Sequence, residues 1–265
     1  MNQTGGFIPV AESALRNKGT FRPAVLIPVY DHELAIGPTL EAVLAHDCEV
    51  LMVDDGSGEA CRDTLIELRD RHPKRVRLVR LEINSGKGAA VKTGFRALLE
   101  EGFSHAVQID ADGQHDISDL PVFLETAFSN PDSLVAGYPV FDAEIPRIRF
   151  YGRYLTHFWV WINTLSFAIR DTMCGFRVYP LAPLAELLEQ EKCGDRMDFD
   201  PEIIVRWYWR GGKVMNLPTR VRYPLDGISH FDVCKDNLLI SQMHARLFFG
   251  MLYRLPGMLW RRTHG

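Results

Sequence analysis

The 265-residue sequence has no uninterrupted apolar run of about 18 residues, the length that a bilayer-spanning helix requires. A transmembrane span is therefore not expected. It has no basic excess either: 30 Lys and Arg stand against 34 Asp and Glu, a net charge of −4. That balance argues against a general nucleic-acid binder, which would usually be basic. Cysteine is scarce, and Cys48, Cys61, Cys174, Cys193 and Cys234 show no paired spacing. They indicate neither a zinc site nor a disulfide framework, but reduced thiols in a cytosolic protein. The N-terminus lacks the charged-then-apolar pattern of a signal peptide, so none is expected. Two nucleotide-binding signatures are missing as well, the GxxxxGKS/T loop and a GxGxxG after the first predicted strand, which disfavours a P-loop or an NAD site. No internal repeat or low-complexity tract is present.

What remains is a globular composition, 46% hydrophobic and 24% charged, long enough for one large α/β domain or two small ones. Residues 1–22 are polar and read as a loose arm. Buried-strand runs follow at 23–30 (PAVLIPVY), 49–53 (EVLMV), 76–81 and 106–109. Helical spacing fills the gaps at 36–45, at 61–71 and from the Asn84–Gly88 loop to Leu99. Alternation of strand and helix implies a parallel sheet covered on both faces, a Rossmann-like architecture.

The sheet's carboxyl edge collects the chemistry. Pro28 and Tyr30 end the first strand, Asp54 and Asp55 the second, and Asp110, Asp112 and Gln114 the central one. Strand alternation points Asp110 and Asp112 to one side, where two ionised carboxylates repel. A divalent cation relieves that repulsion, and oxygen-only ligands suit Mg²⁺ or Mn²⁺ shared with diphosphate and water. A solvated Asp-rich turn is the plain alternative. The amides opening the helix after Asn84–Gly88 favour an anion, with Lys87 adding charge. Lys87 can equally be an exposed helix-start lysine, and Asp54–Ser57 a capped turn.

Later segments are less regular. A helix is expected over 119–128, a strand over 133–137 and an irregular segment over 141–153 carrying Arg147, Arg149 and Arg153. Residues 154–169 (YLTHFWVWINTLSFAI) form an aromatic-rich helix that suits either a membrane interface or the core. Residues 171–178 (DTMCGFRV) read as a positioned loop between Asp171 and Arg177. A helix is expected over 184–191, and MDFDPE (197–202) leads another through Trp209. At most one of Asp198, Asp200 and Glu202 need be catalytic there, since acids at a helix start are ordinary dipole partners. A strand pair or an extended edge is expected over 213–223. The 236–260 helix reads as basic-faced, lying on anionic lipid, on the domain or on a partner.

In order, IPVY (27–30), VDDGS (53–57), NSGKG (84–88), DADGQH (110–115) and DTMCGFRVY (171–179) resemble family 2 glycosyltransferases of the GT-A fold. The resemblance is to the dolichyl-phosphate mannosyltransferase and polyprenyl-phosphate branch, and it runs from Ala24 to about Tyr223. It implies a GT-A domain over 23–232 with a C-terminal amphipathic helical extension over 233–265. It implies a nucleoside pocket lined by Pro28, Tyr30, Asp54 and Asp55, and Asp110, Asp112 and Gln114 on metal and diphosphate. The Asp171–Arg177 loop would face sugar and acceptor. PVYDH stands where the family has PxYNE, so base contacts through that glutamate do not transfer.

The expected activity is metal-dependent, inverting hexose transfer from a UDP- or GDP-sugar to a lipid phosphate, by a cytoplasmic enzyme held peripherally on the inner membrane face. A lipid phosphate needs no general base, and Arg147, Arg149, Arg153 or Arg177 would hold it. A hydroxyl acceptor would want a carboxylate, Asp171 or Asp198. Rival readings are a non-catalytic nucleotide-sugar-binding module and a nucleotidyltransferase. The first would lack the metal carboxylates, and the second would carry a GxGTR-type loop where PVYDH stands.

Overall fold

A computed structural model describes residues 21–141, 147–221 and 233–264. The first strand shows how the sequence makes the sheet. In β1 (Pro23–Val29) every residue after Pro23 is buried, and alternation sends Ala24 and Leu26 to one face and Val25, Ile27 and Val29 to the other. A strand with helices on both sides must be apolar throughout. β2 (Val50–Asp54) and β4 (His105–Gln108) are also buried throughout, and their polar ends Asp54, His105 and Gln108 are hydrogen-bonded. With β3 (Val76–Arg80), β5 (Leu134–Phe141), β6 (Arg177–Pro180) and β7 (Val214–Val221), they build one seven-stranded sheet in the order β3-β2-β1-β4-β6-β5-β7. β6 runs antiparallel between β4 and β5, and every other pairing is parallel.

The helices are α1 (Glu33–Leu44), α2 (Glu59–Arg71), α3 (Lys87–Glu100), α4 (Leu120–Ser129), α5 (Arg147–Thr164), α6 (Leu181–Gln190), α7 (Phe199–Trp209) and α8 (Val233–His264). α1, α2 and α4 cover one face of the sheet, while α3 and α5–α8 share the cluster on the other. In α8, Ile240, Met243, Leu247 and Met251 recur at helical spacing and join the buried cluster that holds Ile203, Trp207 and Trp209 of α7. Among the described residues, no helix is long and apolar enough to cross a membrane.

The second half differs from expectation. β6 takes in the last two residues of the segment read as a loop, Arg177 and Val178, and is only four residues long. α5 starts at Arg147, within the segment read as irregular, and stops at Thr164 because Leu165 turns left-handed (φ +51°). β7 is one strand, parallel to β5 at the edge of the sheet, which fits the extended edge and not the strand pair. The N-terminal arm to residue 20 and residues 222–232 lie outside the described residues, as do the side chains of Arg147 and Arg149.

Candidate active site

A cavity of about 620 Å³ opens where β1, β2 and β4 end, as an open parallel sheet predicts. Pro28, Tyr30, Asp55, Lys87, Asp110, Asp112 and Gln114 all line it. Its far end runs between α5 (Gly152, Arg153, Thr156) and α8 (Asp236, Asn237, Ile240).

Where β2 ends, the Asp55 carboxylate accepts from the backbone N–H of Ser85 (2.8 Å) and of Gly86 (2.8 Å), tying β2 to the start of α3. Gly86 holds φ +103°, and a Cβ there would collide with Asp195 and Arg196. Asp54 does not line the cavity, contrary to the sequence reading. Its carboxylate accepts from Ser57 N (2.8 Å) and Arg80 Nη1 (2.7 Å) and shapes the turn after β2. Consecutive residues of an extended chain point to opposite sides, so one acid of the pair faces the cavity and the other faces away.

At the centre, Lys87 Nζ sits 2.7 Å from Asp110 Oδ1 and 2.8 Å from Asp200 Oδ2. Burial opposes the Asp110 charge, but Lys87, and His115 after it, hold this carboxyl well below the usual carboxylate range. Lys87 is disfavoured by burial too, and Asp110 and Asp200 keep it firmly protonated. Asp112 lies two residues on and accepts from Gln114 N (3.1 Å) across a turn at Gly113. Burial, and then the charge of Asp110, pushes the Asp112 carboxyl up. Gly175 closes over this group. A Cβ there would fall 2.1 Å from Asp110 Oδ2, so only glycine lets the 171–177 loop approach so closely.

The three residues read as catalytic, Asp171, Arg177 and Asp198, do not line the cavity. Arg177 is fully buried as a staple. Its guanidinium donates to the carbonyls of Cys174 (2.9 Å), Asp200 (2.7 Å) and Thr172 (2.5 Å), and to Tyr179 Oη (3.2 Å). It cannot also clamp an acceptor phosphate. Asp171 lies behind the wall: its Oδ1 accepts from Met173 N (2.8 Å) and Cys174 N (2.6 Å). Its Oδ2 faces His157 Nε2 (3.1 Å) and Arg153 Nη1 (3.4 Å). Burial opposes the charge of Asp171, yet those two partners hold it below its ordinary value. Asp198 accepts from Arg196 N (3.3 Å) and pairs with Arg246 (3.5 Å) outside the cavity.

The acid of MDFDPE that does face the cavity is Asp200. Asp198 and Glu202, four apart, share one side of the helix start, and both meet Arg246. Asp200, two positions from each, turns about 200° away and meets Lys87. That rotation was the available signal. His157, Arg196 and Asp236 had no comparable sequence signal, since each gains its place from tertiary contact.

The family model for glycosyl transferase family 2 matches residues 24–188, and the chain belongs to that family. It is a glycosyltransferase, and its fold is GT-A. An uncharacterized protein of Methanocaldococcus jannaschii is 28% identical over 216 residues, 79% of this chain and 92% of that one. A polyprenol monophosphomannose synthase of Mycolicibacterium smegmatis is 29% identical over 174 residues, 60% of this chain and 62% of that relative. Among solved structures, glucosyl-3-phosphoglycerate synthase from Mycobacterium tuberculosis, in complex with Mn²⁺, UDP-glucose and phosphoglyceric acid, superposes with a TM-score of 0.63. It covers 94% of this chain and 85% of its own, at 15% identity.

Proposed function

We propose that this enzyme transfers a hexose, with inversion, from a nucleoside-diphosphate sugar to a lipid-linked phosphate of the polyprenyl type. The observation that carries the reading is one continuous cavity. The acid-and-lysine centre lies at its sheet end, and Arg153 stands on its wall between α5 and α8. The polyprenol-phosphate relative agrees with it.

The donor set fits a divalent ion. Asp110 and Asp112 are oxygen ligands, and the raised Asp112 carboxyl marks a charge the protein alone does not compensate. Among the described residues, no three His, Cys, Asp or Glu side chains converge on a metal position. Mg²⁺ or Mn²⁺ here would therefore complete its shell with diphosphate oxygens and water. When bound, such an ion supplies positive charge to the leaving diphosphate. Pro28, Tyr30 and Asp55 orient the nucleoside beside it. Asp171 pairs with Arg153, which lines the far end of the cavity and would hold an anionic oxygen of the acceptor there.

A phosphate acceptor is already ionised, and the carboxylates expected to serve as base are engaged elsewhere: Asp171 with His157 and Arg153, Asp198 with Arg246. A hydroxyl acceptor is the second reading, favoured by Asp236 of α8, which lines the same cavity. The test is incubation of the enzyme with Mn²⁺ and UDP- or GDP-hexoses, each with and without polyprenyl phosphate in detergent. Label should enter the lipid only when the phosphate is present, and transfer solely to hydroxyl acceptors would overturn the acceptor assignment. Asp112→Asn should lose roughly 100-fold or more of turnover at unchanged melting temperature. Full wild-type turnover after exhaustive metal removal would sink the metal.

A further inference from the structure

Three acids, Asp110, Asp112 and Asp200, line one cavity floor, and a single ammonium lies among them. We propose that Lys87 is a resident counter-cation that withholds Asp110 from free divalent ions, so that metal and nucleotide enter this site together. The inference rests on the metal assignment to Asp110 and Asp112 made above.

Both the position and the reach of Lys87 are fixed. It is the first residue of α3, directly after Gly86, whose N–H is held by Asp55 at 2.8 Å and whose Cα face abuts Asp195 and Arg196. From there the side chain spans the floor to two carboxylates on different elements, the β4 end and the first turn of α7. Asp200 is itself steadied, because Gln108 Nε2 donates to its Oδ1 at 3.1 Å. Lys87 is thus held from two sides, its side chain only 16% exposed.

An ion arriving alone meets a poor site. Asp110 is already neutralised, Asp112 offers one carboxylate, and no third acidic, His or Cys ligand converges among the described residues. An ammonium and a dication sharing the oxygens of Asp110 would also repel each other. A nucleoside diphosphate changes this balance by bringing its own anionic oxygens. Lys87 can turn from Asp110 toward them while Asp200 remains as its second partner. Asp110 is then released to the metal, and the diphosphate supplies the missing ligands. Each ligand thereby raises the affinity of the other, and linkage requires the two factors to be equal.

The experiment is Mn²⁺ binding followed by the electron paramagnetic resonance signal of the free ion. It is run on the full chain without nucleotide, with UDP and with GDP, after subtracting chelation measured in protein-free titrations. The wild type should bind Mn²⁺ weakly alone and more tightly with one nucleotide, by a factor within the roughly 5- to 150-fold span usual for coupled sites. Lys87→Met should tighten nucleotide-free binding about tenfold and shrink the coupling. Lys87→Arg, which keeps the charge, should leave the wild-type pattern. Equal wild-type affinity with and without nucleotide overturns the inference without any variant, and so does a folded Lys87→Met that binds free Mn²⁺ no better. Absence of Mn²⁺ uptake even with nucleotide overturns the metal assignment and this inference together, which separates the two failures.

Discussion

Arg177 donates through Nη1 to the backbone carbonyl of Asp200 at 2.7 Å, tying the antiparallel strand β6 to the first turn of α7. Its other donors reach the carbonyls of Thr172 and Cys174, so one side chain shapes both the 171–177 loop and the position of the acid that faces Lys87. Stability and site geometry meet in this residue.

Arg177→Met should therefore behave as a folding lesion. It leaves three carbonyls and the Tyr179 hydroxyl buried without their donor, each worth about 1–3 kcal/mol when unsatisfied. Partial relaxation and water entry reduce the sum, and a loss of about 3 kcal/mol is expected. In a chain of this size that corresponds to a melting temperature lower by roughly 6–12 °C. Arg177→Lys keeps the charge but not the planar fork, and should recover only part. Thermal denaturation decides the matter. An unchanged melting temperature with lost transfer would place Arg177 on the substrate instead.

The contact between α5 and α8 carries an acid-sensitive group. His244 lies buried at that seam, its Nδ1 3.5 Å from Asn163 Nδ2 and its ring stacked on Trp159 at 6.2 Å. Burial lowers its pKa from 6.5 to about 4. The unfolded chain takes up this proton below about 6.5, the folded chain only below about 4. Stability is thus full above pH 6.5 and falls as pH drops toward 4, by up to about 3 kcal/mol from this group. Burial also lowers His105, which acts in the same direction. Urea titrations at pH 7.5 and pH 4.5 should show a smaller gap for His244→Asn than for the wild type. An identical gap in both proteins would exclude His244 as its source.

Much of the first half of the fold was legible because the apolar runs of β1, β2 and β4 each stop beside a proline or a carboxylate, at Pro28, Asp54 and Asp110. The Asp54–Asp55 pair was legible only as a pair. Two acids in one turn look equivalent until alternation assigns one to Arg80 and the other to the cavity. Asp200 was hidden among three acids, although a rotation of 100° per residue separates it from Asp198 and Glu202. Arg177 was misread because a charged residue at the end of a short loop suggests a positioned site, whereas its acceptors come from residues 172, 174, 179 and 200, which no local pattern joins. α5 presented both faces at once. Thr156, His157, Val160 and Asn163 are buried while Tyr154, Leu155 and Phe158 are exposed, so the interface and core readings each fitted half of it.

Those exposed side chains support a final prediction, peripheral attachment to an anionic membrane surface. Leu155 and Phe158 on α5, and Phe249, Leu252, Tyr253 and Trp260 on α8, point away from the core that Met243, Leu247 and Met251 fill. Phe249 and Tyr253 are 69% and 86% exposed, one helical turn apart, on a helix whose earlier turn lines the far end of the cavity. An interfacial helix buries such a face at the headgroup boundary, and nearby basic residues add about 1 kcal/mol each, a term that salt screens. Lys235 is exposed on α8, and the sequence places Arg261 and Arg262 at its end. The enzyme should float with vesicles containing phosphatidylglycerol at low salt and release partly at high salt. Phe249→Ser with Tyr253→Ser should weaken flotation while leaving metal-dependent hydrolysis of the donor sugar unchanged, because neither residue lines the cavity. If folded, active wild-type protein stays in the unbound fraction at every lipid composition and salt level, membrane attachment is wrong. Concentration-dependent dimerisation that the same double variant abolishes would then assign this face to contact between copies of the chain.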